Sequence, residues 1–363
     1  MTDAHAPELP ARGRALVTGA TGLLGGNLVR LLLSLDQEVV ALVRDTDRAR
    51  RLLPEDPRLR VAAGDVTEPD SYRPLFAGVD EVFHTAAYFR EYFQDPSLTE
   101  PLERVNVRGT ELVLAGAAEA GVPVFVHTSS VNTLALRGPE RPADESTPPP
   151  DRFADLPTSQ CYPSSKVRAE GAVAEMVRSG RTGSTRVATV LPGWMWGPGD
   201  AGPTSAGRLF LDVARGRVKA VPRLSNYVVD ARDVALACVA AARTGGHDRY
   251  VVAGEKRSLP ALVGAAAAET GARAPRAVPA GLAMAAASLM EFQARVRGGE
   301  PTATRAGVRV LREGDARNIS SELARSDLGV RFRPVAETVA AMGAWYRQHG
   351  MLPAGAVAAS AAR

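Results

Sequence analysis

Tyr162 and Lys166 stand four residues apart in a stretch, residues 162–178, whose pattern is helical, with Pro163 tolerable only in the first turn. Four residues is one helical turn, so the two side chains share a face. A serine at the end of an earlier strand would complete an acid/base set, and Ser129 and Ser130 both occupy such an end. A free phenol is a poor acid or base at neutral pH, with a reference pKa of about 10. A neighbouring ammonium favours phenolate and lowers that value, while a serine hydroxyl holds a carbonyl or alcohol oxygen beside the phenol. The chemistry is proton donation to a carbonyl oxygen as a hydride arrives from a nicotinamide, whose ribose hydroxyls Lys166 would also bind. Alone, tyrosine and lysine at this spacing are no more than an exposed helical pair, so the surrounding elements decide.

Residues 18–25 read T-G-A-T-G-L-L-G. Ala15-Leu16-Val17 before them is an uncharged run typical of a doubly buried strand, and Leu24, Leu28, Leu31, Leu32 and Leu35 after them fall on one helical face. A strand turning sharply into a helix leaves backbone N–H groups aimed where a pyrophosphate fits. Gly19 permits the turn, Gly22 lets the backbone approach the phosphates, and Gly25 lets the helix pack on the strand. Thr21, Leu23 and Leu24 complete the cradle.

A second buried strand, residues 38–43, runs straight into Arg44, with Arg48 and Arg51 on the helix expected next. That junction meets the adenosine ribose in dinucleotide folds, where an acid favours a free 2′-hydroxyl and a base accommodates a 2′-phosphate. NADP(H) is therefore expected, with NAD(H) the less favoured choice. A third strand, 59–63, leads to Gly64, Asp65 and Val66, where Asp65 would accept from the adenine amino group. A fourth, 81–85, ends at Thr85 and the small pair Ala86-Ala87, which leaves room for the cofactor; His84 reads as a packing residue. The aromatic cluster 88–93, beginning Tyr88-Phe89, follows a strand's carboxyl end, where open α/β sheets bind ligands.

A long helix over 102–120, a fifth strand over 123–128 that ends at Thr128, a sixth over 185–191 and another over 249–253 complete an alternating pattern. It predicts an α/β fold, a Rossmann-type doubly wound parallel sheet with right-handed crossovers. Residues 137–157, rich in proline and charge, read as a loop over the active site. Residues 192–200, P-G-W-M-W-G-P-G-D, read as a rigid turn. The NADP-binding domain spans 14–200 with 227–254 returning to it. Residues 201–226 and 255–350 form a smaller, mostly helical substrate-binding cap, and 1–13 and 352–363 flexible tails.

The net charge of +4 comes from arginines spread along the chain, without a basic block, which argues against nucleic acid. Cys161 and Cys238 are too few for a disulfide framework or thiolate metal cluster, so no metal and a cytoplasmic setting are expected. The N-terminus lacks the apolar core of a signal peptide, and the apolar stretch 278–290 is too short to span a bilayer. Its small alanines suit a pocket wall or plain core better than a membrane surface.

In order and spacing, the glycine loop, Gly64-Asp65-Val66, F-H-T-A-A at 83–87, N-V-R-G-T at 106–110, H-T-S-S at 127–130, Y-P-S-S-K at 162–166 and L-P-G at 191–193 together resemble the extended short-chain dehydrogenase/reductases. The resemblance covers about residues 14–255 and, more loosely, the cap. It implies Ser130, Tyr162 and Lys166 as the catalytic set, Ser130 matching as the last hydroxyl of its run. It further implies cofactor contacts from Asn106, Thr128, Ser129, Pro192, Gly193 and Trp194. The Val43-Arg44-Asp45 junction is similar to the dihydroflavonol-reductase-like branch, whose members reduce carbonyls with NADPH. Where plant members carry a flavonoid-binding asparagine this chain has Ala135, and Asn132 does not substitute for it. Tyr88, Phe89, Asn132, Ala135, Trp194 and Met195 are the expected substrate-pocket residues. The expected partner is a small carbonyl or alcohol, with a homodimer through helices 102–120 and 162–178. A sugar-nucleotide epimerase or dehydratase, a 3β-hydroxysteroid-dehydrogenase-like enzyme and a non-catalytic dinucleotide sensor are the alternatives.

Overall fold

Ala15, Leu16 and Val17 are wholly inaccessible in the computed structural model, which describes residues 9, 13–88, 99–138, 140–150, 161–297 and 304–352. An uncharged run of this kind is stable where helices cover both faces of its sheet. Helices from both halves of the chain supply that cover, and the first half is the one that opens with β1. It runs β1 (Arg14–Thr18), α1 (Leu23–Ser34), β2 (Glu38–Val43), α2 (Thr46–Leu52), β3 (Leu59–Ala63), β4 (Glu81–His84), α3 (Thr99–Leu102), a π-helical turn (Glu103–Arg108), α4 (Gly109–Glu119), β5 (Val124–Thr128), α5 (Cys161–Arg178) and β6 (Arg186–Pro192). The second half runs β7 (Trp194–Trp196), α6 (Ser205–Ala214), β8 (Ala220–Pro222), β9 (Ser225–Asp230), α7 (Ala231–Arg243), β10 (Arg249–Val252), β11 (Glu255–Ser258), α8 (Leu259–Thr270), β12 (Arg276–Val278), α9 (Ala280–Arg297), α10 (Arg305–Ala316), α11 (Glu322–Ser326) and α12 (Val335–Gln348).

Seven strands form a parallel sheet in the order β10-β6-β5-β4-β1-β2-β3. The chain winds outward from β1 to β3 and then outward from β4, so the switch point lies between β1 and β4, where such sheets bind ligands. Leu24, Leu28 and Leu32 of α1 share one apolar cluster with Val234, Ala237 and Ala241 of α7. On the other face Val113 and Leu114 of α4 and Val173 and Met176 of α5 close over Phe125. Each fully buried Leu, Val or Phe contributes about 1.5–3 kcal/mol. At the strands' opposite ends Glu81 pairs with Arg243 at 3.1 Å and accepts from Gln37 at 2.9 Å, a buried ion pair far from the switch point.

The residues expected to form the cap share a second apolar cluster, which gathers Phe210, Leu262, Met342 and Tyr346 with Trp196. Here the fold departs from expectation in several places. The supposed turn at 192–200 contains a strand, β7, in a three-stranded sheet ordered β11-β9-β7; flanking proline and glycine disguise three residues of extended chain. Ala324, Leu328 and Val330, in and just after α11, belong to the same apolar cluster as the parallel sheet. The single helix expected over 102–120 is an α, π, α succession. Helix α9 is neither pocket wall nor plain core: Leu282, Leu289 and Phe292 are 59%, 57% and 63% exposed. Of the expected tails only Leu9, Gly13 and Leu352 are described, and Leu352 is buried against the cap.

Candidate active site

The turn from β1 into α1 is held by a hub at Thr18. Its hydroxyl bonds His84 Nδ1 at 2.9 Å and accepts the amides of Thr85 and Ala86 at 3.2 Å, while Thr85 Oγ1 donates to the Thr18 carbonyl at 2.7 Å. The β1 and β4 ends are thereby fixed to each other. Gly19 sits at φ +68°, and a Cβ there would stand 2.8 Å from the Ala86 backbone, so only glycine permits this approach. Gly22 N-caps α1 with no side chain bonding its first amides, which leaves them for an anion. A dinucleotide's pyrophosphate fits this cradle.

A cleft of about 590 Å³ runs from the cradle across the carboxyl ends of the strands to the cap, a volume usual for cofactor and ligand sites. Gly19, Thr21, Gly22, Leu23, Leu24, Gly25, Arg44, Arg48, Asp65, Val66, Thr85, Ala86, Ala87, Thr128, Ser129, Pro192, Gly193 and Trp194 line it. Asp65 Oδ1 accepts from the Thr67 amide and hydroxyl, both at 2.8 Å. Burial opposes ionisation, yet those bonds and the Arg44 and Arg104 charges hold the carboxyl below its ordinary range. Arg51, exposed on the last turn of α2, is not on the cleft wall. Asn106 is not there either. The π turn that carries it aims its amide at the main chain of Tyr88, accepting at 2.6 Å and donating at 3.1 Å, with a further bond to Ser165 Oγ at 2.9 Å. It anchors a pocket residue where a cofactor contact was expected.

Ser130, Tyr162 and Lys166 all line this same cleft. Ser130 follows β5 and N-caps a short 3₁₀ turn, its Oγ accepting from the Asn132 amide at 3.2 Å. Lys166 is 5% exposed, and its Nζ donates to the Thr128 carbonyl at 2.8 Å. Burial pushes its ammonium down to about 8 against the opposing pull of Glu170. Ser129, an expected cofactor contact, lines the cleft and donates its hydroxyl to Glu170. His84 is walled in, its Nε2 bonded to Thr110 Oγ1 at 3.0 Å, and burial with the Lys166 charge pushes it down to about 3. It is a neutral packing residue, as its position at a strand end implies.

On the substrate side Tyr88, Asn132, Trp194 and Met195 line the cleft, while Phe89 lies outside the described residues. Ala135 is off the wall, its amide committed to the Pro148 carbonyl at 2.9 Å. Several lining groups were not read from the sequence. Ala306, Val310 and Leu311 of α10 supply an apolar wall, and Arg317 beyond it donates to the carbonyls of Val131 and Leu134 at 3.0 and 3.1 Å. Asp200, raised by burial, accepts from Thr204 Oγ1 at 2.8 Å. An arginine in an arginine-rich chain gives no signal; only the helical spacing of α10's apolar residues was available. Among the described residues no cluster of three or more His, Cys, Asp or Glu suits a metal, and no helix is long and apolar enough to cross a membrane.

Comparison with known proteins fits this geometry. The pattern of the NAD dependent epimerase/dehydratase family matches residues 15–254. A 3β-hydroxysteroid dehydrogenase/Δ5→4-isomerase of Mycobacterium tuberculosis is 39% identical over 60% of this chain and 57% of its own length; the chain thus aligns with little more than half of that relative. A putative dihydroflavonol 4-reductase of Synechocystis is 31% identical over 92% of this chain and 94% of its own. The crystal structure of the protein gox2253 superposes with a TM-score of 0.75 at 31% identity, covering 93% and 99% of the two chains.

Proposed function

The chain belongs to the NAD dependent epimerase/dehydratase family, and from that premise we propose that it is an NADPH-dependent reductase of a ketone or aldehyde, reversible as an alcohol dehydrogenase. The observation that carries this reading is the common cleft wall formed by Ser130, Tyr162 and Lys166 with the glycine cradle and Arg44. Bound NADPH would supply the hydride. Ser130 Oγ holds the substrate oxygen, and Tyr162 donates its proton to that oxygen as negative charge develops on it. Lys166, one turn away, favours the phenolate that remains and so eases the transfer. Arg44 and Arg48, exposed beside the cradle, offer charge to a 2′-phosphate at the place where Val43 leaves no carboxylate to repel one.

The cap-side wall of Ala306, Val310, Leu311 and Met195 supports an apolar substrate. It gives a second reading, oxidation of a hydroxysteroid at the same residues, weight alongside the name of the mycobacterial relative. NADPH or NADP absorbance followed against aromatic, steroidal and aliphatic carbonyls and alcohols decides between the two. In either case Tyr162→Phe should reduce turnover by about 10²- to 10⁴-fold, the size of a general-acid contribution. Full activity in that variant would sink the mechanism.

A further inference from the structure

Glu170 stands four residues after Lys166 on α5, one turn further along the same face. Its carboxylate is largely buried and has both oxygens engaged. Oε2 accepts from Ser129 Oγ, and Oε1 pairs with Arg249 Nη2 at 2.6 Å. Arg249 is itself fixed on edge strand β10, its Nη1 donating to the carbonyls of Glu145 and Thr147 at 2.7 and 3.0 Å. One turn earlier, Lys166 holds the Thr128 carbonyl. Two residues of α5 therefore grip successive residues at the end of β5, and the next residue in the chain is Ser130.

We propose that Glu170 is a positioning residue of the reductase site, locking the β5 end through Ser129 and serving as the counter-charge to the buried ammonium of Lys166. Among the described residues, the Lys166 charge acts on His84 of β4 and His127 of β5, and Glu170, paired with Arg249 of β10, acts on Lys166, with Tyr162 one turn away on the same helix. Burial, with the Lys166 charge, holds both histidines far below their ordinary range, so they stay neutral. Of these groups Glu170 opposes the cost of keeping Lys166 charged, and its carboxylate is at the same time paired with Arg249. A carboxylate this deep also needs its partners, because a buried charge without them is strongly destabilising.

The inference rests on the reductase reading for its meaning, but it can be tested without a substrate. Lysine occurs at three positions, Lys166, Lys219 and Lys256, so ε-13C-lysine NMR gives three signals, and Lys166→Arg identifies the one that matters. In Glu170→Gln the Lys166 titration midpoint should fall by roughly one pH unit, the effect expected of losing a nearby opposite charge. In Glu170→Asp, which keeps the charge, it should stay closer to wild type. In Arg249→Gln, which leaves Glu170 uncompensated, it should rise, so a second variant speaks if the first fails to fold. An unmoved midpoint in folded Glu170→Gln, or a fall in Arg249→Gln, overturns the proposal. Failure of the reductase reading would show separately, as full activity in Tyr162→Phe with the lysine shifts intact.

Discussion

The Lys166 ammonium donates to the Thr128 carbonyl oxygen at 2.8 Å, which ties the cation one turn from Tyr162 to the strand whose end presents Ser130. A reaction that depends on this cation must fade as it loses its proton. With burial holding Lys166 at about 8, kcat/KM for carbonyl reduction should decline above about pH 8, approaching tenfold per unit. Lys166→Arg, which stays charged throughout, should move that alkaline limb upward even as it lowers the maximum. A limb that stays in place in the variant assigns it to another group.

β2 and the cradle were legible because a parallel strand covered on both faces reads as an apolar run, and 38–43 read from the sequence is the observed β2 to the residue; 59–63 is likewise the observed β3, although that edge strand is partly exposed and carries Arg60. Polar residues were less legible, since their partners are remote in sequence. Asn106 gave no sign that it turns toward Tyr88, which requires a π turn that no periodicity announces. Ser129 and Ser130 could be told apart only by family resemblance; both line the cleft, and what distinguishes them in the structure is that the Ser129 hydroxyl donates to Glu170 while Ser130 Oγ accepts from the Asn132 amide. The apolar content of α9 pointed inward, yet its leucines and Phe292 lie exposed; composition says how apolar a helix is, not whether anything covers it.

Arg44 sits at the end of β2 on the cleft wall, with Arg48 one turn into the following helix. If these residues read a 2′-phosphate, Arg44→Ala should weaken NADPH binding by about tenfold or more, the weight of one charge-assisted contact, while NADH affinity hardly changes. Fluorescence titration of both nucleotides measures the ratio. An unchanged ratio would mean that the 2′-phosphate is recognised elsewhere.

Asn106 gives a contrasting expectation. Its amide holds both main-chain groups of Tyr88, so Asn106→Ala should loosen a wall of the substrate pocket and leave a buried main-chain group without its partner, costing about 1–3 kcal/mol of stability. Substrate KM should rise several-fold with NADPH affinity retained. Loss of NADPH affinity with an unaltered KM would restore the direct cofactor contact that the sequence suggested.

His84 predicts an acid sensitivity. Its folded value near 3 lies below the ordinary 6.5, burial being the main cause. Between those values the unfolded chain binds a proton that the native protein refuses, so stability falls as pH drops through that window. For His84 alone the loss between pH 7 and pH 5 is about 2 kcal/mol, and it bears on function because the same ring bonds Thr18 at the base of the cradle. Urea unfolding at the two pH values measures it. In His84→Asn, which keeps a polar group near Thr18 Oγ1 but cannot titrate, the difference should shrink by about that amount. Equal differences in the two proteins would show that the acid sensitivity arises from other groups, such as His127.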